Sequence, residues 1–198
     1  MVKTHVKYWG IDLFSNNLQT FKSRSTILEN LGGKFQSIKK HKFHAEGNLV
    51  KLETEFVEGK PDPIGKQLIA ALTKLANDLT EINQFIPHGD IVKRNAIWDG
   101  RSFVLIDWEP LLEHGIPSNI FLKSTKPYIY SADLVESKIT SNTDKIAFFY
   151  FCRKIIHGWF PTDKKEITMI ETKISSKDFY ELVDFAAVTL TPLSAKLT

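Results

Sequence analysis

The sequence predicts an α+β chain in two parts, a small strand-bearing part over residues 1–58 and a larger, mainly helical part over 59–198. Three observations predict it. Short apolar segments separated by turn residues fill the first part. A breaker-rich run, Glu58-Gly59-Lys60-Pro61-Asp62-Pro63, lies between the two, and apolar residues spaced by three or four positions dominate the second.

Each element follows in order. Thr4 to Tyr8 suits a short strand, and Ser15, Asn16 and Asn17 offer caps for a helix from about Leu18 to Leu31, which Gly32-Gly33 ends. After the basic loop Lys39-Lys40-His41-Lys42, the segments flanking Glu46-Gly47-Asn48 form an antiparallel pair that ends in Leu52-Glu53-Thr54-Glu55-Phe56-Val57. Ile64, Leu68, Ile69, Leu72, Leu75, Leu79, Ile82 and Phe85 then mark one buried face of a long helix. Ala96-Ile97-Trp98 and Phe103-Val104-Leu105-Ile106 flank Asp99-Gly100, a strong hairpin signal. Helical patterns at about 142–157 and 176–190 close the chain.

Composition narrows the function. With 198 residues, 42% hydrophobic and 25% charged, there is material for one globular domain or two small lobes. The net charge of +3 is spread along the chain, without the clustered basic face of a nucleic-acid binder. Cys152 is the only cysteine, which excludes an internal disulfide and a multi-cysteine metal site. The start has no apolar leader and no run nears the ~18 apolar residues of a membrane helix. The expectation is a cytoplasmic protein without a membrane partner, or one delivered into a host cell by a secretion machine that needs no apolar leader.

The residues that carry chemistry surround the hairpin: His88-Gly89-Asp90-Ile91-Val92-Lys93-Arg94-Asn95 before it and Ile106-Asp107-Trp108-Glu109 after it. Phosphoryl transfer asks a protein for a carboxylate to orient and deprotonate the acceptor hydroxyl, and for oxygen ligands that hold Mg2+ on the nucleotide phosphates. Asp90, Asn95 and Asp107 can supply that set. The loop lets Asp90 and Asn95 face one cleft, and a tight hairpin returns the chain so that Asp107 emerges beside them, where a carboxylate and an amide carbonyl can help complete magnesium's oxygen coordination.

These residues resemble the catalytic and metal-binding motifs of the protein-kinase-like superfamily, with wording close to the aminoglycoside phosphotransferases. The resemblance implies a compact two-lobed fold with a reduced N-lobe and a helical C-lobe, ATP and Mg2+ as cofactors, Asp90 as base, Asn95 and Asp107 on magnesium, and His88 as a brace. It also implies that Glu55-Phe56-Val57-Glu58-Gly59 is the hinge, with backbone groups near Glu55 and Val57 receiving adenine, and that 64–85 is the helix before the catalytic loop. Downstream the pattern departs from the aminoglycoside enzymes. Ser131-Ala132-Asp133 and the segment through Asp144 are more similar to the end of a protein-kinase activation segment and the next helix, whose aspartate holds the catalytic-loop backbone. Ser176 to Leu182 looks like a late C-lobe helix.

Lys7 stands where the strand lysine for the phosphates would, or is an ordinary exposed strand lysine. Its glutamate partner is open: anchoring on Ile27-Leu28 and Leu31 puts Arg24 at that position, with Glu29 further along. Only about fifty residues precede the hinge, and no Gly-rich loop is found. Lys93 either touches the transferred phosphate or is a solvated lysine. Cys152 among Phe148-Phe149-Tyr150-Phe151 reads as a buried, inert thiol, and the four tryptophans as packing residues. The expected activity is a minimal serine/threonine protein kinase of the kind some bacteria deliver as effectors. A small-molecule kinase, or a pseudokinase that serves as a binding module, is the alternative.

Overall fold

The computed structural model describes residues 3–10, 18–108, 141–158 and 164–188. Glu109 of the Ile106-Asp107-Trp108-Glu109 run, and Ser131-Ala132-Asp133 likened above to the end of an activation segment, lie outside the described residues.

Strand β1 (Thr4–Gly10) is followed by helix α1 (Leu18–Leu31), then β2 (His41–Glu46) and β3 (Leu49–Glu55). The three strands form one antiparallel sheet in the order β1-β3-β2, so β3, last in sequence, lies in the middle. Gly32 and Gly33 end α1 for steric reasons. A Cβ on Gly32 would lie 2.9 Å from the Lys40 Cα, and Gly33 has φ of +80°.

Helix α2 (Gly65–Ile82) buries Leu68, Ala71, Leu72, Leu75, Ala76, Leu79 and Ile82, the stripe the spacing predicts. Its ends are shorter than expected. Ile64 is 82% exposed and Phe85 61% exposed, because Ile64 is still extended and the chain tightens after Ile82 into a turn that carries Phe85 outward and Ile86 into the core. Hairpin β4 (Ala96–Trp98) and β5 (Phe103–Leu105) is present with a longer loop than a two-residue Asp-Gly turn. Asp99 Oδ1 accepts the N–H groups of Arg101 (2.8 Å) and Ser102 (2.9 Å), an Asx turn that spans residues 99–102.

Helix α3 (Ser141–His157) is buried on nearly every side, including Phe148, Phe149, Phe151 and Cys152, and is the centre of the helical part. Helix α4 (Lys164–Ser175) was not expected, although Ile167, Ile170 and Ile174 recur at helical spacing. Helix α5 (Phe179–Ala187) opens with the Asp178 N–H donated to Glu181 (2.8 Å) and packs on α2 and α3.

A strap between α1 and β2 joins the small sheet to the helical part. The Ser37 N–H donates to Asp78 on α2 (2.9 Å), the Ser37 carbonyl accepts from the Leu105 N–H (2.8 Å), and Lys39 reaches Asp99 (3.4 Å). Gln36 also pairs with Lys74 of α2.

Candidate active site

The loop that carries Asp90 is gripped from below by α3. Asp144, fully buried, accepts the N–H groups of His88 (2.6 Å) and Gly89 (2.7 Å), so one carboxylate satisfies two consecutive backbone donors. This is the contact the resemblance implied for Asp144. His88 ties the loop to the hairpin. Its Nδ1 accepts the Asp90 N–H (3.1 Å), which leaves Nε2 to carry the proton and donate to the Ile106 carbonyl (2.9 Å). The His88 ring also lies 4.5 Å from that of Trp108, itself buried and bonded through Nε1 to the Leu105 carbonyl (3.0 Å).

Asp90 is almost enclosed, its side chain 8% exposed. Oδ2 accepts from Arg94 (2.9 Å) and from the Asn95 Nδ2 (2.9 Å), while the same Nδ2 donates to the Asp90 carbonyl (3.0 Å). Oδ1 is buried without a hydrogen-bond partner among the described residues. Burial pushes the Asp90 pKa above the usual carboxylate value; the charge and hydrogen bond of Arg94 and the hydrogen bond from Asn95 oppose that, and the charge of Asp107 adds to it.

Asp107 is brought beside this loop by the Ile106 N–H, which donates to the Asn95 carbonyl (2.9 Å), and by the His88 bond to the Ile106 carbonyl. Its φ of +60° is the only positive value outside glycine among the described residues, a strained conformation of the kind held at functional sites. Lys7 Nζ sits 2.5 Å from the Asp107 Oδ1, so β1 and the hairpin meet across a cleft.

Sheet register explains what lines that cleft. Thr54 on β3 lies opposite His5 on β1 and His41 on β2, and Lys7 lies opposite Leu52, so these five side chains share one face. They form one wall. Glu55, Phe56 and Val57 form the end, and Ile97, Ile106, Asp107 and Trp108 the floor, around a cavity of about 140 Å³. His41 donates its Nδ1–H to the Lys39 carbonyl (2.7 Å), and burial holds its pKa below the usual value. Sequence reading missed His5, His41 and Thr54, because alternation says which residues share a face but not which face meets the cleft.

Asp90, Asn95, Asp107 and Lys7 are therefore brought together, and Glu55 and Val57 lie on the same cleft. Lys93 is placed apart from them: its Nζ pairs with Asp62 (2.7 Å) and lies 5.9 Å from the centre of the Phe103 ring. Glu29 accepts the Phe43 N–H (2.6 Å), tying α1 to β2. Arg94 was not singled out, although its i, i+4 spacing from Asp90 was a signal. Cys152 is fully buried, which pushes its thiol pKa well up, and no helix among the described residues is long and apolar enough to cross a membrane.

Donor chemistry fits a magnesium ion. With the Asn95 Nδ2 turned to Asp90, its Oδ1 faces away from that carboxylate, and Asp107 retains an oxygen beyond the one Lys7 approaches. An amide oxygen and a carboxylate are hard ligands of the sort Mg2+ takes alongside phosphate and water.

A small antiparallel sheet with one helix, a helical part, and a clamped loop and hairpin at the cleft between them define a protein-kinase-like fold, two-lobed, with a reduced β-containing N-lobe and a mainly helical C-lobe. The chain is similar to the PknI kinase domain of Mycobacterium tuberculosis, at 11% identity over 92% of this chain and 83% of that one, with a TM-score of 0.62. It is also similar to PpkA-294 in its apo form, at 18% identity over 89% of this chain and 70% of that one, with a TM-score of 0.62. At these identities the likeness is one of fold. No protein-family model and no curated protein matches the sequence.

Proposed function

We propose that the chain is an ATP- and magnesium-dependent phosphotransferase, a minimal kinase whose acceptor is a serine or threonine hydroxyl of a protein. One observation carries the reading: a clamped, nearly enclosed carboxylate, Asp90, keeps an unpaired oxygen beside the oxygen donors Asn95 and Asp107. Burying an acceptor without a partner costs about 1–3 kcal/mol. Such a group is retained where a ligand supplies the missing donor.

In this reading the acceptor hydroxyl donates to Asp90, which orients it and takes its proton as the oxygen bonds to the γ-phosphorus and the bond to ADP breaks. Asn95 and Asp107 would hold magnesium, which when bound neutralises phosphate charge. Lys7 faces the phosphates from the sheet, and the backbone near Glu55 and Val57 faces the base. Lys93 serves the acceptor side only if its pairing with Asp62 opens. The fold likeness to a kinase domain supports a protein acceptor; in this reading the lobes divide at residues 58 and 59, and the hinge lies beside the base.

The test is incubation of the protein, Asp90→Ala and Asp107→Ala with magnesium and γ-labelled ATP, alone and with a cell extract. Label on a protein band that depends on both residues is expected. Consumption of ATP with label only in small molecules would point to a small-molecule kinase; neither transfer nor nucleotide binding would refute the enzyme reading.

A further inference from the structure

We propose that Arg94 is a positioning residue for phosphotransfer: with the Asn95 amide it ties down one oxygen of Asp90, so that the other is the one offered to the acceptor hydroxyl. The inference rests on the phosphotransferase reading and deepens it.

A carboxylate turns about its last torsion between two near-equivalent orientations. Here that symmetry is broken. Oδ2 receives two donors, Arg94 and Asn95, both at 2.9 Å, whereas Oδ1 is buried and receives none. Two hydrogen bonds on one oxygen hold the plane of the group and draw electron density toward that oxygen. Oδ1 keeps its lone pairs for an incoming hydroxyl.

The two partners differ in exposure, 59% for the Arg94 side chain against 8% for Asp90. An arginine that is largely solvated gains little stability from an ion pair. Its effect therefore falls on orientation. In the reaction the acceptor O–H bond breaks and its proton goes to Oδ1. The hydroxyl oxygen forms a bond to the γ-phosphorus, the bond from that phosphorus to the bridging oxygen breaks, and the electron pair leaves with ADP. Arg94 touches none of these atoms. It acts through Asp90, and as a guanidinium it stays charged at any working pH.

The experiment uses the whole chain with magnesium and γ-labelled ATP, comparing kcat and KM for wild type, Arg94→Ala, Arg94→Met and Arg94→Lys. Arg94→Ala and Arg94→Met should lower kcat about 10- to 100-fold, as misplacement of a reacting group does, with KM for ATP within about twofold. Arg94→Lys should recover part of kcat, since one charged donor remains. Wild-type kcat in Arg94→Ala, or a loss carried wholly by KM, overturns the proposal. If wild type transfers no label, or transfer survives Asp90→Ala, the phosphotransferase reading fails separately. The orientation of Asp90 is then decided by its 13Cγ resonance: a shifted or exchange-broadened signal in Arg94→Ala supports the role of Arg94, and an unchanged one overturns it.

Discussion

Replacing Asp144 by alanine removes the carboxylate that holds the Asp90 loop from beneath. Two backbone donors, the His88 and Gly89 N–H groups, lose their acceptor at 2.6 and 2.7 Å in a site closed to water. Each buried donor left without a partner costs about 1–3 kcal/mol, so the loss is roughly 2–6 kcal/mol. A native domain has only about 5–15 kcal/mol in total. For a chain of this length the loss lowers Tm on the order of 5–20 °C. Asp144→Asn keeps one acceptor oxygen and should lose about half as much. Urea unfolding followed by tryptophan fluorescence measures it directly, with the slope checked to confirm that the unfolded state is unchanged. An Asp144→Ala variant within about 0.5 kcal/mol of wild type would refute the clamp, because no ordinary surface substitution does more than that.

Four further predictions follow from the same geometry. Asp90→Ala should abolish label transfer while leaving circular dichroism unchanged; retained turnover would remove Asp90 from the mechanism. Lys7→Ala should weaken ATP binding, read by titration calorimetry, yet change stability by less than ~1 kcal/mol, since the Lys7–Asp107 pair is 30% and 44% exposed; unchanged affinity would place Lys7 outside the nucleotide site. Trp108→Ala removes a ring that is 1% exposed and packs on His88, and should cost about 3–5 kcal/mol in chemical denaturation; a loss under ~1 kcal/mol would contradict the packing described. For His41, burial holds the folded pKa below the ordinary 6.5, so below that pH the unfolded chain binds a proton the folded chain refuses. Stability should fall as pH drops from 6.5 toward the folded pKa, and His41→Phe should flatten that slope in denaturation curves taken at several pH values; an identical slope would mean that other groups set it.

The fold was largely legible because its elements announce themselves locally. The α2 stripe, the paired glycines after α1 and the turn at Gly47 are decided by residues within a few positions of one another. That the three candidate residues would meet was legible for a related reason: Asp90 and Asn95 share one loop, and a short hairpin must return Asp107 to it. What escaped depends on tertiary placement. Lys93 sits one residue from Arg94, yet the 3-10 turn over Lys93–Asn95 sends Lys93 toward Asp62 and Arg94 toward Asp90, a split that no spacing rule resolves. Helix α4 was passed over because Ile167, Thr168, Ile170 and Thr172 look like strand formers, and packing against α3 overrides that preference.

The strap at residues 36–39 has a mechanical consequence. A small lobe joined to a large one at a single covalent connector could swing freely about it, whereas here Ser37 and Lys39 fasten it at a second place, beside the connector, where the Lys60 N–H donates to the Trp98 carbonyl (2.7 Å). Sliding or wide splaying of the sheet would have to break the Ser37 bonds to Asp78 and Leu105 as well as the Lys7–Asp107 pair across the cleft. Weakening that fastening, for example at Asp78, would loosen how Lys7 meets Asp107 without altering any group that faces the cleft.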